Sequence, residues 1–198
     1  MNSNILLCGV GGQGTVLASK LIAAAFMSCG EVVHSAETIG MAQRGGSVTS
    51  HIRIGKSASS PLIPLGKADL ILAFEPAEAV RNLQYLKRDG MVIVNSCAVV
   101  PVSESLKKEG YRANEMIDYL KAKVKRLIII NSDDICKEFG SAKYFNIAML
   151  GVAAGAGFID LSKEALISEI EAKVPEKYIE TNKKAFNKGF KMGGSYEA

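Results

Sequence analysis

A short apolar run that stops at a cluster of glycines constrains this chain more than any other feature. Asn4 to Cys8 reads NILLC, and Gly9-Val10-Gly11-Gly12-Gln13-Gly14 follows at once. An unbroken apolar run of this length suits a strand buried on both faces, as in the middle of a parallel sheet. The glycines allow a sharp turn and close approach of backbone to a ligand. From Gly12 to Cys29 the residues are small and apolar, with Leu17, Leu21, Ile22 and Ala25 at helical spacing and Gly30 as a predicted C-terminal cap. Glu31 to Ser35 (EVVHS) reads as a second strand. Strand, glycine turn, helix and strand make the first βαβ unit of a doubly wound sheet.

The rest of the chain continues in that style. Ser47 to Ile54 alternates, with Val48, Ser50, Ile52 and Ile54 on one side and Ser47, Thr49, His51 and Arg53 on the other. Alternation predicts a half-exposed strand, antiparallel or near an edge. Lys56 to Lys67, with Pro61 and Pro64, is a loop. Asp69 to Phe74 is a buried strand, and Pro76 opens a helix predicted to run to Leu86. Met91 to Asn95 and Leu127 to Ile130 are further strands. Asn114 is a predicted cap for a helix to Lys123, and Asp133-Asp134 a predicted cap for one to Phe139. Phe145 to Ile159 is an apolar helix, Glu164 to Lys173 an amphipathic one, and Pro175 to Phe190 a polar one. Repeats and dividing linkers are not seen. A single domain over 1–198 is expected, with a helical part over about 145–190. Its predicted class is α/β: a three-layer α/β/α sandwich with a mostly parallel mixed sheet, a Rossmann-like start and C-terminal helices.

Composition matters mainly for what it excludes. Cys8, Cys29, Cys97 and Cys136 form no C-x-x-C pair, and His34 and His51 are the histidines. Iron–sulfur and structural zinc sites need closely spaced thiolates or imidazoles, so no metal site is expected here. Cys8 and Cys29 read as reduced core residues. The net charge is +4, with basic and acidic residues interleaved, which argues against a nucleic-acid partner. A leader pattern is not seen at the start, and the apolar runs are too short to cross a bilayer. A soluble, cytoplasmic protein without a membrane partner is expected.

The glycine loop sits between a strand and a helix, the setting in which G-x-G-x-x-G carries meaning. Free amide N–H groups at a helix start attract an anion. Thr15 and Val16 follow Gly14 where a P-loop has Lys and Ser/Thr, so nucleotide hydrolysis is a poor fit. A dinucleotide site needs an acid near the end of the second strand, and Glu37 stands there. That leaves a nicotinamide- or flavin-binding oxidoreductase open. Thr38, Gln43, Arg44, Gly45 and Gly46 fall near the same strand ends, and an arginine there can grip a phosphate with its fork of donors. The candidate phosphate-binding set is therefore Gly9, Gly11, Gly12, Gln13, Gly14, Glu37, Thr38, Gln43, Arg44, Gly45 and Gly46. His34 reads as a core or edge residue, as does His51. With no nucleophile, base and orienter in view, no catalytic side chain is assigned.

Several strings together resemble a known family. They are Gly9-Val10-Gly11-Gly12-Gln13-Gly14, Ala36-Glu37-Thr38, Gln43-Arg44-Gly45-Gly46-Ser47-Val48, Pro61-Leu62-Ile63-Pro64, Ala68-Asp69-Leu70 and Phe74-Glu75-Pro76. The chain resembles the gamma-type domain of 2-oxoacid (pyruvate/ketoisovalerate):ferredoxin oxidoreductases, and within that family the indolepyruvate-type small subunits. The resemblance is specific over Asn4 to Asn95 and weaker to Ile170. It implies an enzyme that decarboxylates a 2-oxo acid oxidatively, transfers the acyl group to coenzyme A and passes electrons to ferredoxin. It also implies a large partner subunit bearing thiamine diphosphate and 4Fe-4S clusters, because this chain has no G-D-G motif and no clustered cysteines. Coenzyme A would then be a substrate near the glycine loop and Arg44, and the small subunit alone would be inactive.

Overall fold

The structure is a computed structural model that describes residues 2–37, 46–99 and 111–196. Its strands are β1 (Ser3–Val10), β2 (Val33–Glu37), β3 (Ser47–Ile54), β4 (Ala68–Ala73), β5 (Leu86–Asn95) and β6 (Arg126–Ile130). They form one sheet in the order β2-β3-β1-β4-β5-β6. β1, β4, β5 and β6 pair in parallel, whereas β3 runs antiparallel to both of its neighbours. The helices are α1 (Thr15–Ser28), α2 (Pro76–Asn82), α3 (Ala113–Lys123), α4 (Ser132–Phe139), α5 (Phe145–Gly155), α6 (Lys163–Lys173) and α7 (Glu176–Gly194).

Strand alternation divides the apolar side chains between two cores. Ile5, Leu7, Leu70, Leu72, Met91 and Ile93 face one side, where α1 and α4 to α7 pack. Leu6, Cys8, Ile71, Ala73, Val92 and Val94 face the other, under α2, α3 and Ile63. Both faces of the central strands are covered, which is why they read as continuous apolar runs. The expected three-layer α/β/α sandwich with a mostly parallel mixed sheet is the one found.

The first βαβ unit differs from expectation. β2 runs in the same direction as β1 but does not touch it, because β3 lies between them. β3 is therefore an interior strand. Val48, Ser50, Ile52 and Ile54 are buried as the alternation requires, but His51 is buried too. The loop after β3 folds back over that face and places Ile63 in the core. Ile63 N–H donates to His51 Nδ1 at 3.2 Å, and Arg53 Nη1 donates to Ser60 O at 2.9 Å.

Other boundaries move for local reasons. The Pro76 helix ends at Asn82, whose side-chain amide donates to Glu78 O, and Leu86 already pairs with Ala68 at the start of β5. Asn114 lies inside the first turn of α3, after Arg112. Asn131, rather than Asp133-Asp134, caps α4 by accepting Asp133 N–H at 2.8 Å. Cys29 is exposed just beyond α1, while Cys8 is a core residue as expected.

The α5–α7 pair rests on four glycines. Gly151 and Gly155 face the backbone at Phe186 and Phe190, and Gly189 and Gly193 face the backbone at Ala148 and Val152. A Cβ at any of the four would come inside the 3.0 Å that real Cβ atoms respect, against backbone that cannot swing away. Gly189→Ala is therefore expected to destabilise by at least about 3 kcal/mol, the upper end of ordinary overpacking. Gly194→Ala is the control, since its nearest neighbour would be 3.8 Å away and it should cost almost nothing. Urea midpoints for the two variants, at unchanged m, test the difference.

His51 yields a second expectation. Burial holds its pKa below the ordinary 6.5. A neutral ring is what the Ile63 bond needs, because Nδ1 must accept. Below pH 6.5 the unfolded chain takes up this proton and the folded chain does not, so stability falls with acidification until the lowered folded value is reached. Thermal melts from pH 7.5 to 5 should show this loss in the wild type and a shallower slope in His51→Gln.

Candidate functional site at the carboxyl edge of the sheet

β1 leads into α1 on one face of the sheet, and its neighbour β4 leads into α2 on the other. Two hydrogen-bonded strands whose exits diverge leave a crevice outside their carboxyl ends, where ligands of open α/β sheets bind. The glycine loop and Phe74-Glu75-Pro76 form its two banks.

Two side-chain amides tie this edge together. Phe74 O accepts from Gln13 Nε2 at 2.9 Å and from Asn95 Nδ2 at 3.1 Å. Gln13 Oε1 accepts Val10 N–H at 2.8 Å. Asn95 Oδ1 accepts Ser132 N–H and Cys97 N–H, each at 3.1 Å. The ends of β1, β4 and β5 and the start of α4 are thus joined in a row. Asn95 is only 3% exposed.

Most of the glycine loop is engaged with the protein itself. Gly11 N–H donates to Gly46 O at 2.9 Å, and Gln13 N–H to Val10 O at 3.3 Å. Gly9 is glycine because a Cβ there would press on Gln13 Oε1 and Thr15 Oγ1. Gly14, with φ 79°, precedes α1 with no side-chain cap, and its carbonyl accepts from Ala18 N–H and Asn146 Nδ2. Gly12, with φ 97°, faces open space. Among the described residues, the Gly12 and Gly14 amides are the ones in this loop without a partner. Thr15, at the first position of α1, is 2% exposed with its hydroxyl unpartnered among the described residues.

Of the second predicted segment, Gly46 is brought to the loop through Gly11. Glu37 is not: its Oε1 accepts from Ser19 Oγ of α1 at 2.9 Å, and β3 separates its strand from β1. A dinucleotide fold would have the acid-bearing strand beside β1. Thr38, Gln43, Arg44 and Gly45 lie outside the described residues.

Beside the loop lies a pair of carboxylates that the phosphate-binding set omitted. Glu75 and Glu78 are each 1% exposed. Glu75 caps α2 by accepting Glu78 N–H at 3.0 Å, and it also accepts the Tyr111 hydroxyl. Burial pushes its carboxyl above the ordinary value of 4.5, and burial likewise raises the Tyr111 hydroxyl. Glu78 accepts Ser47 Oγ at 2.6 Å and pairs with Arg81. Cys8 lies close by, its thiol raised first by burial and then by the two carboxylates. No group of three or more metal-ligating side chains occurs among the described residues.

A family model for pyruvate ferredoxin/flavodoxin oxidoreductase matches residues 4–192. The chain belongs to this family. It is 39% identical over 96% of its length to indolepyruvate oxidoreductase subunit IorB of Methanothermobacter thermautotrophicus, covering 97% of that protein. It is 38% identical to the Archaeoglobus fulgidus subunit of the same name, over 96% of this chain and 94% of that one. Among solved structures, the keto/oxoacid ferredoxin oxidoreductase gamma subunit of Geobacter sulfurreducens superposes with a TM-score of 0.72 over 98% of this chain and 99% of that one, at 24% identity. At that identity the likeness is one of fold.

In this family member the sequence did carry a cue to the buried acids. Glu75, Pro76 and Glu78 have the spacing of an N-cap, a first-turn proline and a third-position acid. Acids in such positions are usually solvated, so their burial was not legible. Asn95 stood at a predicted strand end with no feature to mark it as a junction. Asn95→Asp should cost about 3 kcal/mol at pH 7, because a carboxylate oxygen would replace the donor facing two carbonyls. The loss should shrink at pH 4, where the acid can donate again. Denaturation of the two proteins at both pH values checks this.

Proposed function

We propose that this chain is the small subunit of an indolepyruvate-type 2-oxoacid:ferredoxin oxidoreductase. The complex decarboxylates its 2-oxo acid oxidatively, transfers the acyl group to the thiol of coenzyme A and delivers the electrons to ferredoxin. Support comes from the two relatives of that name, each matched over nearly the whole of both chains. Thiamine diphosphate and the 4Fe-4S clusters are assigned to a large partner subunit, which fits the dispersed cysteines here. Bound there, those groups supply the carbanion chemistry and the electron path. A cytoplasmic location is proposed on the same basis. No helix among the described residues is long and apolar enough to cross a membrane.

Within that complex, this chain holds and positions an anionic part of coenzyme A at the glycine loop. The observation that carries this assignment is the pair of amides, Gly12 and Gly14, without a partner among the described residues, at the divergence of β1 and β4. With the first turn of α1 they offer several N–H groups and the positive end of a helix to one phosphate. Gly9, Gly11, Gln13 and Gly46 shape the loop. Arg44, a sequence-based candidate, would add a charged donor. A nicotinamide role gains no support, because Glu37 is bound to Ser19 and β3 occupies the place of its strand.

Co-expression with the large subunit should give a stable complex that reduces a viologen dye only when indolepyruvate and coenzyme A are both present. The isolated chain should be inactive. Dye reduction by the isolated chain, or activity of the large subunit that is indifferent to this chain, would contradict the assignment.

A further inference from the structure

Two buried carboxylates three residues apart are costly unless each is well paired. Glu78 is paired in an informative way. One oxygen meets Arg81 on its own helix, and the other takes the hydroxyl of Ser47 at 2.6 Å, from an otherwise exposed serine at the start of β3. Ser47 shares a peptide unit with the Gly46 carbonyl, and that carbonyl accepts Gly11 N–H at 2.9 Å. In the β1–β3 ladder, Ser47 also stands opposite Val10. Holding the Ser47 side chain therefore fixes the peptide plane that holds Gly11, and Gly11 precedes Gly12, whose amide has no partner among the described residues.

We propose that Glu78 is a positioning residue for the glycine loop, acting through Ser47 and the Gly46–Gly11 backbone bond to aim the Gly12 and Gly14 amides. α2 thereby sets the geometry of a loop on the opposite bank of the crevice. A leucine at position 78 would pack against the same core but would leave the Ser47 hydroxyl without this acceptor. The proposal rests on the assignment of coenzyme A to the loop, and it adds a residue that does not touch the ligand.

The assembled complex tests it by steady-state kinetics in coenzyme A. Ser47→Ala, an exposed change that folding should tolerate, is expected to raise KM for coenzyme A about tenfold, the scale of one charge-assisted hydrogen bond, with kcat within about twofold. Glu78→Ala should do the same, and Ser47→Ala with Glu78→Ala should be no worse than either alone, because both cut one chain of contacts. Glu78→Gln keeps an acceptor for Ser47 and should recover most of the wild-type KM. If Glu78→Ala does not assemble, Ser47→Ala and Glu78→Gln decide the matter. An unchanged KM in Ser47→Ala, or effects that multiply in the double variant, would overturn the proposal. Gly12→Ala separates it from the underlying assignment. A raised KM in Gly12→Ala beside an unchanged Ser47→Ala sinks the positioning role alone. An unchanged KM in Gly12→Ala sinks the assignment of coenzyme A to the loop, and the proposal with it.

Discussion

The carbonyl of Phe74 accepts two side-chain amides at once, and the carboxyl edge of the sheet depends on it. Gln13 reaches it from the glycine loop and Asn95 from the end of β5. Without those bonds the ends of parallel strands would be free to splay, since the ladder stops there and each exit turns to a different face. A buried asparagine with every donor and acceptor in use is rigid, because any rearrangement orphans a polar group in the core. The same row of bonds explains why so little of the loop is free. Val10, Gly11 and Gln13 spend their amides on holding the loop in place, which leaves Gly12 and Gly14 without an amide partner among the described residues.

The architecture was legible where periodicity and length agree. NILLC suits a central strand and is one, and the α6 segment begins one residue from its predicted start, whereas α1 begins at Thr15, three residues after Gly12, because the glycines form the turn. The insertion of β3 between β1 and β2 was not legible. Alternation in Ser47 to Ile54 reported one buried face and an antiparallel preference, but a strand does not encode its neighbour. His51 sat on the predicted polar side and is buried because a loop, rather than a helix, covers that face. The motif GVGGQG predicted the turn correctly, yet its glutamine proved to be a fastener. The reason is a contact 61 residues away in sequence, with Phe74.

Membership of the pyruvate ferredoxin/flavodoxin oxidoreductase family gives these details a setting. A subunit proposed to position a ligand has to present loops with fixed geometry, and buried polar groups such as Asn95 and Gln13 hold this edge in place. The α5–α7 pair serves the same end from below. Four glycines let two backbones interlock, so the layer carrying Asn146 to Gly14 is itself stiff.

Amide hydrogen exchange on the assembled complex, resolved residue by residue across the glycine loop with and without coenzyme A, tests the central claim most directly. Gly12 and Gly14 should become protected when coenzyme A is added, while Val10 and Gly11, already bonded within the protein, should not change. No added protection at Gly12 or Gly14, at coenzyme A concentrations that saturate turnover, would contradict it.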